Sequence, residues 1–130
     1  MSHTILVCDD DPGFLELIKT VLETQFSHQN GMPLYDVICV RTADEALRVF
    51  HAMEMDLVLV DARLDGQDGV ALAHELEAIN PAAKIAYVTG VAQEPNGGAK
   101  RTLFKPFALD ELLNLVREML NPPENPEMPA

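Results

Sequence analysis

Apolar residues fall along this chain in two alternating kinds of block, short unbroken runs and longer stretches with helical spacing. Residues 4–8 (T-I-L-V-C) form a run too short for a helix and rich in β-branched residues, which predicts a buried strand. Asp11 and Pro12 then open a helix, with Asp11 as cap and Pro12 at the first helical position. Leu15, Ile18, Leu22 and Phe26 mark its apolar stripe, and 27–34, with Asn30-Gly31 and Pro33, ends it. Residues 35–40 read as a second strand. Thr42-Ala43-Asp44-Glu45 has the form of a capping box, Thr42 the cap and Glu45 reaching back. The helix it opens runs to about residue 53 and buries Ala46, Leu47, Val49 and Phe50. Residues 57–60 are apolar throughout, as a strand covered on both faces should be. A polar, glycine-bearing loop follows over 61–69, then a helix over 70–79 that Pro81 stops. Residues 85–88 predict a fourth strand, 102–104 a weak fifth, and 109–120 a last amphipathic helix.

Strands that alternate with helices imply a doubly wound parallel sheet, an α/β architecture with helices on both faces. Such sheets bind ligands beyond the carboxyl ends of their strands, where the strand order reverses. That rule turns scattered polar residues into one candidate site. Asp9 and Asp10 follow the first strand, Asp61 the third, Thr89 the fourth and Lys105 the fifth. All five should meet on one rim. No internal repeat is visible. Residues 121–130 hold four prolines and read as a tail or the start of a linker after a domain spanning 1–120.

Composition narrows the partners. The 130 residues suit a single domain, and 48% hydrophobic content is enough for a sizeable core. The formal net charge is −12, from 21 acidic against 9 basic residues, which argues against direct binding to nucleic acid or to an anionic membrane surface. A divalent cation or a basic partner patch suits this field better. Residues 1–4 lack the basic and apolar regions of a signal peptide, and no apolar run approaches a membrane span, so a cytoplasmic location is expected. Cys8 and Cys39 each sit inside a strand-like run, and without Cys-x-x-Cys spacing they read as buried free thiols.

Three carboxylates on one rim repel each other unless a cation sits among them. Asp9, Asp10 and Asp61 are hard oxygen ligands, which favours Mg²⁺ over a transition metal. Lys105 can pair with Asp61 and hold a phosphoryl oxygen, Thr89 can donate its hydroxyl to another, and Gly90 leaves a donor room to approach. The fitting chemistry is in-line phosphoryl transfer onto Asp61 as nucleophile, giving a labile acyl phosphate and therefore a temporary state. Each residue also has a plainer reading. The acidic run could be a helix cap, Asp61 a loop residue, Thr89 a strand-end hydroxyl and Lys105 a solvated charge. Their fall at successive strand ends weighs against coincidence.

These residues resemble the response-regulator receiver family of two-component systems, over about residues 4–120. I-L-V-C-D-D-D-P (5–12) is similar to its first strand and acidic pair, and D-L-V-L-V-D-A-R-L-D-G-Q-D-G (56–69) to its phosphoacceptor strand and loop, with Gly69 as the loop glycine. A-Y-V-T-G (86–90) is similar to its threonine strand, and F-K-P-F (104–107) to its lysine-proline turn, whose peptide bond is typically cis. The resemblance implies a flavodoxin-like sheet of order 2-1-3-4-5, with Asp61 as acceptor and Thr89 and Lys105 as its catalytic companions. It implies Mg²⁺ on Asp10, Asp61 and the backbone carbonyl of Arg63, with Asp9 acting mainly through a water. It further implies a histidine kinase or histidine phosphotransfer protein as donor, a downstream effector as partner, and self-catalysed phosphorylation and dephosphorylation rather than enzyme activity in the usual sense.

Four departures are legible. Asp65 stands where a proline is usual, and the connection over 27–34 is longer than usual. Thr102 stands where the family places an aromatic residue. Thr89 and Lys105 lie only 16 positions apart, and 91–101, with a proline and two glycines, is a poor helix former, so the fourth helix is expected to be shortened or lost. Output is then expected through the rim and the first helix. A haloacid-dehalogenase-type phosphatase would need a second acid where Arg63 stands, and a flavodoxin-like cofactor binder would need a phosphate cradle where Asp9 to Asp11 repel phosphate. The remaining alternative is a receiver-like interaction module that works without phosphorylation.

Overall fold

A computed structural model describes residues 2–90 and 101–121. Five strands alternate with helices: β1 (His3–Cys8), α1 (Pro12–Glu23), β2 (Tyr35–Val40), α2 (Ala43–Ala52), β3 (Leu57–Val60), α3 (Gly69–Ile79), β4 (Ile85–Thr89), β5 (Thr102–Phe104) and α4 (Leu109–Leu120). The sheet is parallel throughout, in the order β2-β1-β3-β4-β5. The switch point therefore falls between β1 and β3, where the expected site lies.

Alternation along the central strands divides the core in two. Ile5, Val7, Leu57, Leu59, Ala86 and Val88 face α1 and α4, meeting Leu15, Ile18, Leu22, Leu112 and Val116. The intervening residues Leu6, Cys8, Val58, Val60, Ile85 and Tyr87 face α2 and α3, meeting Ala46, Leu72, Ala73 and Leu76. A strand buried on both faces needs no polar alternate, which is why these runs are unbroken in sequence.

The helix starts follow the local chemistry. The Asp11 carboxylate accepts from the N–H groups of Gly13 and Phe14, with Pro12 at the position where no donor is needed. Thr42 accepts from Glu45 N at 3.1 Å, but the Glu45 carboxylate returns to Arg41 N and the Thr42 hydroxyl, a slightly displaced version of the expected box. Among the predicted buried residues of α2, Ala46 is fully buried while Leu47, Val49 and Phe50 are half-buried. The helix α3 begins one residue earlier than expected, at Gly69, after a two-residue hairpin pairing Arg63 with Asp68 and Leu64 with Gln67.

The expected apolar stripe of α1 fails at its last member. The helix stops at Glu23, and Phe26 lies beyond it, 51% exposed, bridged to Pro33. The connection closes on itself instead. Leu34 N donates to Gln25 O and Ser27 N to Met32 O, while Gly31 takes a positive φ of 70° to complete the turn. These hydrogen bonds replace the turn of helix that periodicity suggested.

Strand β2 is a sheet edge, and α1 covers the outward backbone groups of its Val37. Lys19 Nζ donates to Val37 O at 2.8 Å and Glu23 accepts from Val37 N at 3.0 Å, the two side chains being paired at 3.1 Å. Both open groups of that residue are thereby closed to another strand.

Cys8 is buried and Cys39 half-buried. Burial, reinforced by the charges of Asp9 and Glu45, pushes the Cys8 thiol up to about 12, and burial also raises Cys39. Thiolate is the reactive form, so iodoacetamide at pH 8 should leave Cys8 unmodified in the folded protein and alkylate both thiols in denaturant. Rapid labelling of native Cys8 would show that β1 opens far more readily than this packing allows. Among the described residues, no helix is long and apolar enough to cross a membrane. The expected loss of the fourth helix concerns 91–100, and the proline-rich tail 122–130; both lie outside the described residues.

Candidate functional site

Each predicted residue is delivered by the end of a strand. The ladder continues one step past β1 and β3, with Asp61 N donating to Cys8 O at 3.0 Å and Asp9 N to Val40 O at 3.1 Å. Lys105 N donates to Thr89 O at 2.8 Å, which fixes the end of β5 against the end of β4. The Lys105–Pro106 peptide bond is cis, as the resemblance implies. One oxygen from each of Asp9, Asp10 and Asp61 lies within 4.8 Å of the other two. The rim expected from sequence is formed.

Asp61 is 8% exposed and held from both sides. Its Oδ1 accepts from the Thr89 hydroxyl at 2.8 Å and from Arg63 N at 3.0 Å, and its Oδ2 faces Lys105 Nζ at 3.3 Å. Thr89, fully buried, thus donates to the acid itself in this structure. Lys105 lies closer to Asp9 than to its expected partner, with Nζ 2.7 Å from Asp9 Oδ2. Asp9 is only 2% exposed, and an ammonium shared between two acids draws nearer the one with less water around it. The second Asp9 oxygen accepts from Asp11 N at 2.9 Å. Asp10 differs: it is half-buried, and its carboxylate has no hydrogen-bond or ion-pair partner among the described residues.

Electrostatics follow from this packing. Burial raises the Asp9 carboxyl above its usual range, against the lowering effect of Lys105 and of Asp11 N. Burial alone would lower Lys105, but its hydrogen bond to Asp9 and the charges of Asp9 and Asp61 outweigh that, so its ammonium is held charged beyond the ordinary lysine range. The site keeps a fixed cation beside a cluster of acids.

The donor set fits Mg²⁺. All three side chains offer hard oxygens, and ligands on one octahedral ion at 2.0–2.1 Å lie at most about 4.2 Å apart, so a spread of 4.8 Å needs only slight closure or one bridging water. Both oxygens of Asp9 and both of Asp61 already accept hydrogen bonds, which leaves the Asp10 carboxylate as the readiest ligand of the three. Arg63 opens the two-residue hairpin directly after Asp61 and Ala62, beside the acids.

Sequence reasoning missed three contributors. Phe14 sets its ring face 4.1 Å from Lys105 Nζ, and Phe107 meets Phe14 edge-on. The side-chain oxygen of Gln67 accepts from Ala43 N at 2.9 Å, tying the loop after Asp61 to the start of α2. Periodicity treats apolar residues as core only, so Phe14 carried no signal; the F-K-P-F segment did place Phe107 near the lysine.

Known proteins agree with this geometry. A family model described as "Response regulator receiver domain" matches residues 5–117. The transcriptional regulatory protein GlrR of Escherichia coli is 30% identical over 129 residues, covering 92% of this chain and 27% of GlrR, so the chain spans about a quarter of that relative. The chemotaxis protein CheY of Bacillus subtilis is 27% identical, covering 93% of this chain and all of CheY. Among solved structures, the response regulator TrrA of Thermotoga maritima, in complex with Mg²⁺-BeF, superposes with a TM-score of 0.76 at 30% identity, covering 91% of this chain and 99% of TrrA. With a CheY-like sheet, a family match over most of its length and acids gathered at the switch point, the chain belongs to the response regulator receiver domain family.

Proposed function

We propose that Asp61 accepts a phosphoryl group from a phosphohistidine donor, a histidine kinase or a phosphotransfer protein, and that the resulting state serves as a signalling switch or phosphate shuttle. The convergence of Asp61 with Asp9, Asp10, Thr89 and Lys105 carries this reading. A carboxylate oxygen of Asp61 attacks phosphorus as the donor's N–P bond breaks, and the imidazole leaves with the electron pair and takes up a proton. Lys105 and Thr89, both already hydrogen-bonded to Asp61, are placed to transfer their donors to phosphoryl oxygens. A bound Mg²⁺, held by Asp10, Asp61 and the Arg63 carbonyl with Asp9 behind a water, would neutralise the charge on those oxygens. The Mg²⁺-BeF held by TrrA supports the same chemistry here. Hydrolysis of the acyl phosphate returns the carboxylate and inorganic phosphate. The receiver unit is assigned to residues 1–120, in the cytoplasm, with an effector downstream.

The test is intact-mass spectrometry after incubation with acetyl phosphate. One added phosphate is expected with Mg²⁺ and none with a chelator. Asp10→Asn removes the acid whose carboxylate has no partner among the described residues, so the apparent Mg²⁺ affinity should fall about tenfold or more and labelling should slow. An unchanged Mg²⁺ titration would reduce Asp10 to a helix-start acid. Wild-type protein that takes no phosphate under any metal condition would leave the phosphorylation-independent interaction module as the better reading.

A further inference from the structure

We propose that Phe14 is a positioning residue for Lys105, its ring face holding the ammonium group over the acids; this rests on the reading of Lys105 as the cation that receives a phosphoryl oxygen. The observation is the surroundings of one nitrogen. Lys105 Nζ has Asp9 Oδ2 at 2.7 Å, Asp61 Oδ2 at 3.3 Å, and the Phe14 ring centroid at 4.1 Å. The lysine side chain is 26% exposed, so water covers only part of what remains.

The chemistry of that ring side matters. The negative face of an aromatic ring attracts an ammonium group without a fixed bond direction. A hydroxyl or carbonyl there would hold the nitrogen along one line, and another carboxylate would compete with Asp61 for it. Over a ring face the nitrogen can shift from Asp61 Oδ2 towards a newly attached phosphoryl oxygen and keep the same neighbour. Leu or Ile at this position would fill the volume but offer no attraction.

The ring is itself held. Phe14 occupies the first turn of α1, directly after Gly13, and packs against the core shared by α1 and α4. Phe107, two residues beyond the lysine, meets it with ring centroids 6.1 Å apart and planes at 85°, an edge-on contact that fixes its tilt. The turn that carries the cation thus also carries the support for its platform.

Two measurements test the assignment. In metal-free protein, NMR should show the Lys105 ammonium protons shifted upfield by the ring in wild type and in Phe14→Tyr, and unshifted in Phe14→Leu. With saturating Mg²⁺ and acetyl phosphate, Phe14→Leu should label Asp61 about three- to tenfold more slowly, while Phe14→Tyr stays within about twofold. The Mg²⁺ affinity should be the same in all three. Phenylalanine carrying one to three ring fluorines at position 14 keeps the shape and drains the face, so labelling should slow stepwise with fluorine number. Wild-type labelling rates in Phe14→Leu, equal slowing by Leu and Tyr, or no dependence on fluorination would overturn the proposal. Should the wild type take no phosphate, the phosphoacceptor reading falls by itself, and the upfield shift still decides whether Phe14 holds the ammonium.

Discussion

Asp61→Asn should take up no phosphate from acetyl phosphate and Mg²⁺ under conditions in which the wild type gains one. On the proposed reading, the substitution removes the nucleophile and little else. An asparagine carbonyl oxygen can still accept from the Thr89 hydroxyl and Arg63 N, the two bonds now made by Asp61 Oδ1 at 2.8 and 3.0 Å. Its amide nitrogen cannot accept from Lys105, but that ammonium keeps its shorter contact with Asp9. One of three acids within 4.8 Å is also neutralised, which relieves repulsion in metal-free buffer. The variant should therefore fold, and a loss of labelling reports chemistry rather than collapse. Its thermal midpoint should rise less on adding Mg²⁺ than that of the wild type, because a ligand at fixed concentration stabilises the folded state more the more tightly it binds. Equal labelling of the two proteins would move the phosphorylation site elsewhere, with the acids at the ends of β1 next in line.

Much of this site is legible in the residue order because strand ends in a parallel sheet share one edge. Knowing that 4–8, 57–60 and 85–88 are strands is enough to bring Asp9, Asp10, Asp61 and Thr89 together. The bounds of β2, β3, β5 and α4 were readable for a related reason: each is a compact apolar block with polar or turn-forming neighbours. Where backbone hydrogen bonds of a closing turn compete with periodicity, the reading fails. Phe26 extends the stripe of α1 by one turn on paper, but the Gln25–Leu34 and Ser27–Met32 pairs take the chain out of the helix first. Partner choice within the site was equally hidden. Nothing in the sequence ranks Asp9 above Asp61 as the nearer partner of Lys105, since the ranking depends on how deeply each is buried. Thr102 illustrates the same limit. Its cross-strand partner is the buried aromatic Tyr87, a pairing that only the register of β4 with β5 reveals.

Gly69→Ala should be the most damaging glycine-to-alanine change among the described residues. Alanine normally stabilises a helix relative to glycine by about 1 kcal/mol, and Gly69 is the first residue of α3. The backbone here needs no left-handed conformation, since the positive φ values among the described residues fall at Gly31 and Gly66. Close approach is the constraint. A Cβ at Gly69 would lie 1.8 Å from the Asp61 carbonyl oxygen, 2.8 Å from its carbon and 3.0 Å from the Ala62 carbonyl carbon. All three are backbone atoms, so no side chain can rotate out of the way. Gly69 N also donates to Ala62 O at 3.0 Å, which holds the two segments together. Relief must come from moving α3 away from the end of β3 or moving Asp61 itself. Forced overpacking of this kind costs about 3 kcal/mol or more, a fall of roughly 10 °C in thermal midpoint for a domain of this size. A displacement of Asp61 by about 1 Å should slow labelling by as much as 100-fold, because the attacking oxygen leaves its line with the donor. Gly13→Ala and Gly90→Ala are the controls. An added Cβ at Gly13 meets only Asp11 Oδ1, at 3.4 Å, and at Gly90 it meets nothing within 4 Å. Neither should melt more than about 2 °C below the wild type, a loss of under roughly 0.5 kcal/mol, and Gly13→Ala gains from the helix propensity of alanine. A Gly69→Ala protein that melts with them and labels at the wild-type rate would show that the strand end beside Asp61 yields freely, and that the site is far less rigid than its hydrogen bonds imply.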